Sequence, residues 1–427
     1  MERRDFIKLA SMAGLGVVAG ATFAGETKAD QPFTGPFWIM INGGGGWDPT
    51  SFCDPKGANG AADPDPMNHY LKSDILTIGN FKVAPPLVTN LNDNFAQRFF
   101  EYHQSRLMVI NGIDMATNAH DAGNRAAFSG TLIEGKPAFA ALVAGVYGAT
   151  QPMAFISNGG YDAGGGVVAV TRAANPTALN RVAYPNIINP QDEAANQQSY
   201  HSEPGVTAIQ ATRDARLKAM QAQTKLPRLA QRMGMLYMAR NGQNQLKQLA
   251  EFLPDQIEGG LLGQAQIVIA AMRAGVCIAA HLSTGGFDTH GNNDQGQEQA
   301  LGNILDGTTA CYDYATDQGI GDKIRWVLAS DFGRTPGYND GNGKDHWSIS
   351  SMLMMGPGIP GNKVVGATDD GHNPLTVNPN TLAVDPNGVR ITPGHVHKAM
   401  RKLAGIDGNP LMAKFPLDAA EDLPIFG

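Results

Sequence analysis

The stretch WVLASDFGRTPGYNDGNGKDHW, residues 326–347, decides how the rest of the chain is read. It opens on Trp326, Val327, Leu328 and Ala329, an apolar run of strand length that is greasy on both faces. The character then changes within one residue. Ser330, Asp331, Gly333, Arg334, Thr335 and Pro336 follow, and a Gly/Asn/Asp loop delivers Lys344, Asp345 and His346. A carboxylate, a guanidinium and an imidazole just past the carboxyl end of a buried strand stand where open α/β sheets gather their ligands. The stretch predicts an α/β fold and one wall of a candidate active site.

Working outward, the same pattern recurs. Residues 37–42, FWIMIN, read as a strand that empties into GGGGWD at 43–48. Four glycines allow a backbone turn no side chain would tolerate, and they present Asp48. A phosphate-cradling loop does not fit, because the Lys-Ser/Thr ending and the GxGxxG spacing before a helix are both missing. Residues 106–111 form a second strand, and its exit loop carries Thr117 and His120 ahead of a helix over 122–129 stopped by Gly130. His120 thus falls near a helix amino terminus, where backbone N–H groups favour anions. A strand over 276–282 leads to Asp288 and His290, two apart in a glycine-flanked loop, so both can turn to one ion. A helix over 297–319 then returns the chain to residue 326. One aspartate or histidine in such a place would read as a turn residue. Asp48, His120, the Asp288–His290 pair and Asp331 with Asp345 and His346 follow four strand exits, which points to a shared cation. Asp/His sets suit Zn, Mn, Ca or Mg.

Elsewhere a helix is expected over 96–104 and strands over 153–156 and 167–170, with an ordered excursion over the surface from 48 to 94. Two amphipathic helices broken at Pro227 are expected between 207 and 250, an insertion that serves packing or a homodimer. With 427 residues, 42% hydrophobic and 17% charged, the chain can bury one large core. We expect a single domain over 30–427 with a helical hairpin inserted near 207–255. A net charge of −7 and no basic run after the first ten residues exclude a nucleic-acid footprint. No apolar segment past the amino terminus spans a bilayer, since the longest candidate, 261–282, is broken by Gln264, Gln266, Arg273 and His281. Of three cysteines, Cys277 reads as core, and a pairing of Cys53 with Cys311 stays open. Arg3 and Arg4, then Phe6 and Lys8 and a weakly apolar run, read as a twin-arginine export signal over 1–29. Export by that translocase carries folded proteins and places this one in the periplasm or outside the cell.

The pieces GGGGWD, NAHDAGNRAAFSG, FDTHGN, ASDFGRTP and GKDHW resemble a large bacterial family of exported proteins of unknown function, with usual signatures GGWD, FDTH, SEFGRTP and DHW. That family in turn resembles the alkaline phosphatase and sulfatase superfamily. The resemblance implies a three-layer αβα fold with a mostly parallel sheet, and a metal-assisted hydrolase site for phosphate or sulfate esters. It implies Asp48, Asp288, His290, Asp331 and His346 as ligands of a divalent metal. It implies His120 and Thr117 as catalytic groups beside Arg334, a forked donor to an anionic small-molecule or polysaccharide ester. Two departures stand out. Phe332 takes the place of the histidine that usually follows the aspartate, and Ala119 that of a serine. Catalysis by Thr117, His120 or metal-bound water is one reading; a periplasmic or cell-surface binding or assembly protein that keeps the fold without turnover is the other.

Overall fold

The structure is a computed structural model that describes residues 33–88, 94–149, 151, 153–172, 184–189, 198–223, 249, 251–254, 256–419 and 421–427. The export signal expected over 1–29 lies outside these residues. In chain order the first elements are β1 (Phe37–Gly43), the hairpin β2 (Leu76–Ile78) and β3 (Phe81–Val83), α1 (Phe95–His103), β4 (Leu107–Asp114) and α2 (His120–Ser129). Next come α3 (Phe139–Tyr147), β5 (Phe155–Ser157), β6 (Val170–Thr171), α4 (Glu203–Gln223), α5 (Gly260–Arg273), β7 (Ala279–Thr284) and α6 (Asn293–Asp317). The chain continues with β8 (Ile324–Ser330), β9 (Gly333–Arg334), β10 (His346–Trp347), β11 (Ile349–Met355), β12 (Lys363–Val365), α7 (Pro393–Leu403) and α8 (Pro410–Ala413).

The main sheet has eight strands in the order β12-β4-β11-β8-β1-β7-β5-β6. β1 pairs in parallel with β7 and β8, as do β5 with β7 and β6, and β12 with β4. β11 alone runs against its neighbours β4 and β8. Both faces are covered, which is why the central strands read as unbroken apolar runs. Phe37, Ile39 and Ile41 of β1 join one core, with Phe99, Ile267 and Ile304 from α1, α5 and α6. Trp38 and Met40 join the other, with Phe128, Leu142 and Met400 from α2, α3 and α7. The result is the three-layer α/β arrangement with a mostly parallel sheet.

The expected strands over 37–42, 106–111 and 326–329 lie within or largely within β1, β4 and β8, while that over 276–282 is displaced, since β7 begins at Ala279. The strand expected over 167–170 is corrected: the chain turns there, Val167 N donating to Gly164 O at 2.9 Å, and only Val170 and Thr171 pair as β6. The antiparallel β11 was not anticipated. Of the hairpin expected near 207–255, α4 is present, while Pro227 and most of the second half lie outside the described residues. Cys53, Cys277 and Cys311 are all buried free thiols, so the Cys53–Cys311 pairing does not form. Among the described residues no helix is long and apolar enough to cross a membrane.

Candidate metal centre

Parallel strands in register end on one edge of the sheet. Gly43 lies level with both Thr284 and Ser330, so the exits of β1, β7 and β8 leave side by side. β11 begins where β4 ends, Ile349 level with Asp114, so the segment entering β11 comes to the same edge. That segment carries His346. The exit of β4 carries His120, the first residue of α2, and the exits of β7 and β8 carry Asp288 with His290 and Asp331.

Close approach makes the edge work. Gly123, one turn into α2, would put a Cβ 2.3 Å from the Asp331 carbonyl oxygen, so any larger residue would push the helix and His120 away. Gly45, at φ +116°, would put a Cβ 2.5 Å from the Asp288 nitrogen. The glycine loop is therefore a bracket around the Asp288 loop. It also supplies bonds: Gly45 N donates to Asp331 Oδ2 at 3.2 Å, and the Gly46 and Trp47 nitrogens donate to Ser330 Oγ at 3.1 and 2.9 Å.

Three imidazoles meet at one carboxylate. Asp288 Oδ1 lies 3.2 Å from His290 Nε2 and 3.3 Å from His346 Nε2, and its Oδ2 lies 3.6 Å from His120 Nε2. Each ring is held from behind at Nδ1: His120 by Asp331 Oδ2 at 2.7 Å, His290 by Asp345 Oδ1 at 2.8 Å, His346 by the Asn118 carbonyl at 2.8 Å. An ionised carboxylate or a carbonyl can only accept, so the proton of each neutral ring sits on Nδ1 and the Nε2 lone pair faces inward. The His290 and His346 Nε2 atoms are only 2.9 Å apart. Two lone pairs at that distance repel unless a cation or a proton lies between them. Ligand atoms of His120, Asp288 and His346 all fall within 4.8 Å of one another. Phe332 closes the floor, its ring centroid 4.9 Å from that of His120 and 4.4 Å from that of His346.

The electrostatics follow the burial. Asp331 is buried, which raises its carboxyl above the usual range despite the bond from His120, and its Oδ1 has no hydrogen-bond partner among the described residues. Asp288 is exposed; its modest burial works upward, but Arg334, His346 and His120 outweigh it and hold the carboxyl below the usual value. Asp345 is lowered first by its bond with His290. The donor set, two imidazole nitrogens from His120 and His346 and the Asp288 carboxylate, with His290 beside it, fits a divalent ion of the Zn or Mn type.

Three candidates are placed differently from the sequence expectation. Asp331, expected as a ligand, stands behind His120 with its Oδ2 on Nδ1 at 2.7 Å, so it orients a ligand and does not join the ligand group. Asp48 is fully buried and away from the histidines: its Oδ2 accepts from Lys344 Nζ at 2.6 Å and its Oδ1 from Thr50 Oγ1 at 2.6 Å. Both oxygens are occupied, so Asp48 does not join the ligand group. Arg334, expected to face substrate, is also fully buried; it donates to the Gly45 and Gly46 carbonyls, to Lys344 O at 3.0 Å and to Asp288 Oδ1 at 2.8 Å. It is a positioning residue that clamps Asp288 to the glycine loop. Thr117 Oγ1 accepts from Ala119 N at 3.2 Å in the loop before α2. Sequence reasoning missed Asn118, whose contribution is a backbone carbonyl, and Gln297, which bonds Asp48 N at 2.9 Å and Phe287 O at 3.0 Å and so joins two exit loops. A carbonyl leaves no signal in residue type. Gln297 had none either, being one polar residue on an amphipathic helix.

A family model described as protein of unknown function, DUF1501, matches residues 38–417. A search of the curated proteins found no match. Among solved structures, the chain is similar to Ps i-CgsB in complex with k-i-k-neocarrahexaose, at 11% identity and TM-score 0.34, covering 92% of this chain and 76% of that one. It is similar to the PsFucS1 sulfatase from Pseudoalteromonas sp., at 8% identity and TM-score 0.33, covering 99% and 75%. It is also similar to a TAB5 alkaline phosphatase with magnesium bound, at 11% identity and TM-score 0.29, covering 78% and 95%. At these scores the likenesses carry no residue-by-residue correspondence.

Proposed function

The chain belongs to the DUF1501 family, and within it we propose that this protein is an exported, metal-dependent hydrolase of phosphate or sulfate esters. The observation that carries the proposal is the meeting of three Nε2 atoms at Asp288, two of them 2.9 Å apart. His120, Asp288 and His346 would hold the ion, with His290 at its edge. When bound, a divalent cation supplies Lewis-acid polarisation of an ester oxygen and charge compensation for an anionic substrate.

The chain's own residues do the rest. Asp331, Asp345 and Asn118 hold the Nδ1 protons, so each ring presents the same atom inward. Phe332 keeps water from the rear of His120 and His346. Arg334 fixes Asp288, and with its donors engaged it leaves substrate charge to the cation. Thr117, whose Oγ1 accepts from Ala119 N, would offer the hydroxyl of the β4 exit loop as attacking or orienting group. The Arg3–Arg4 segment supports export to the periplasm or beyond. Ala119 beside His120 favours the second reading, a binding or assembly protein without turnover.

The test is metal analysis of the protein purified from an exporting host, followed by assay on p-nitrophenyl phosphate and p-nitrophenyl sulfate. We expect stoichiometric metal, and turnover that is lost with the metal in Asp288→Asn and His346→Ala. Bound metal without turnover would leave the binding reading; no metal, or turnover indifferent to both substitutions, would overturn the metal-dependent hydrolase.

A further inference from the structure

The pair Asp48–Lys344 is used by nothing in the proposed chemistry, yet it lies at the heart of the strand-exit edge. We infer that the site holds one cation, and that the Lys344 ammonium is the permanent counter-charge of Asp48, removing that carboxylate from the ligand set. This rests on the metal reading above and narrows it.

The network is closed. Lys344 Nζ has three acceptors for its three protons: Asp48 Oδ2 at 2.6 Å, Asn68 Oδ1 at 2.9 Å and Thr50 Oγ1 at 3.5 Å. Asn68 is itself oriented, its Nδ2 donating to Thr50 Oγ1 at 2.8 Å and to Lys56 O at 3.0 Å. Asp48 and Lys344 are both fully buried, and the Tyr338 ring, 5.0 Å from Nζ, covers the ammonium. A divalent ion seeking Asp48 would have to approach a buried ammonium at contact distance, where low dielectric makes like-charge repulsion severe. Ligating Asp48 would also displace the lysine and leave its ammonium unpaired in the interior, the costly half of any broken buried ion pair.

The pair has a second consequence. Lys344 immediately precedes Asp345 and His346, and its backbone is pinned on both sides: N donates to Thr289 O at 3.0 Å, and O accepts from Arg334 Nη1 at 3.0 Å. The ammonium therefore ties the histidine-bearing segment to the β1 exit, and no ion is needed there to do so. One ion sits among the histidines, and an internal cation does the work a second ion would do at Asp48.

The experiment is equilibrium dialysis of the purified full chain against Zn²⁺ alone, with metal per chain read by elemental analysis. Wild type is expected to bind one ion, and His346→Ala none. The double variant Asp48→Asn/Lys344→Met, which removes both charges together, is expected to keep one ion. Two ions in wild type, or loss of the ion from a cooperatively melting double variant, would overturn the inference. No ion in wild type would instead remove the metal reading itself, and this inference with it. If the double variant does not fold, the wild-type count of one against two decides.

Discussion

Asp331→Asn isolates the charge that orients His120, because the structure gives this substitution an unusually clean geometry. His120 Nδ1 and Gly45 N both bond the same oxygen, Asp331 Oδ2, at 2.7 and 3.2 Å, while Oδ1 has no partner among the described residues. Asparagine can place its carbonyl oxygen at the Oδ2 position and keep both bonds; its NH₂ then takes the place of the unpartnered Oδ1. Only the negative charge is lost. Loss of a carboxylate behind a metal-ligating histidine costs roughly 10- to 100-fold in metal affinity. With the hydrogen bond retained, the lower end applies, so Zn²⁺ affinity should fall about tenfold, or about 1.4 kcal/mol. Asp331→Ala removes the bond as well and should fall toward the 100-fold end. The stability of the metal-free protein should change little in Asp331→Asn: burial already penalises the ionised carboxyl, and losing that penalty offsets the cost of an unsatisfied amide. The assay is competition for Zn²⁺ with a chromophoric chelator near neutral pH, with urea unfolding of the metal-free forms alongside. Zn²⁺ affinity of Asp331→Ala within about twofold of wild type would refute the reasoning, because distant, uncoupled sites differ by no more than that.

Three further outcomes follow. Arg334→Lys cannot reproduce a fork that spans the carbonyls of Gly45, Gly46 and Lys344, and losing about three bonds at about 1 kcal/mol each should lower stability by about 3 kcal/mol in urea unfolding. Gly45→Ala should cost about 1–3 kcal/mol and weaken metal binding, since its Cβ meets the Asp288 nitrogen at 2.5 Å, whereas Gly60→Ala, with open space around it, should be nearly neutral. Burial pushes His281 and His397 down to about 4 and His103 to about 3. Below the unfolded value of about 6.5 the unfolded chain takes up protons these rings refuse, so stability should fall as pH drops toward about 4.5, by up to about 1.4 kcal/mol per pH unit for each ring. His281→Leu should flatten that slope, and unfolding midpoints equal at both ends of the window would contradict it.

Much of the site was legible because local chemistry carried it. An apolar run that ends abruptly in Gly, Asp and His marks a strand exit whatever surrounds it, and parallel strands put all such exits on one edge; Asp288, His290, Asp331 and His120 were placed near one another on that ground alone. The GGGG loop was legible as a turn, and the structure adds what the turn is for, the close seat of the Asp288 loop at Gly45 and of Phe332 at Gly46. Residue type could not say which charged groups would be consumed by one another. Asp48 and Lys344 are 296 positions apart and Arg334 and Asp288 are 46 apart, so their pairing depends on how exit loops pack, a property of no single segment.

By itself the sequence determined the layered α/β class, the strands whose two faces need cover, and the edge at which acid and imidazole side chains collect. All of these rest on burial periodicity and backbone freedom, which act over a few residues. Only the tertiary structure decided which of those side chains face a shared cation and which are spent on holding the loops: the antiparallel β11 brings His346 to the edge, and buried bonds withdraw Asp48 and Arg334 from it. The physical reason is that a charge taken out of water must find its partner at contact distance, and what lies at contact distance is set by the packed chain as a whole.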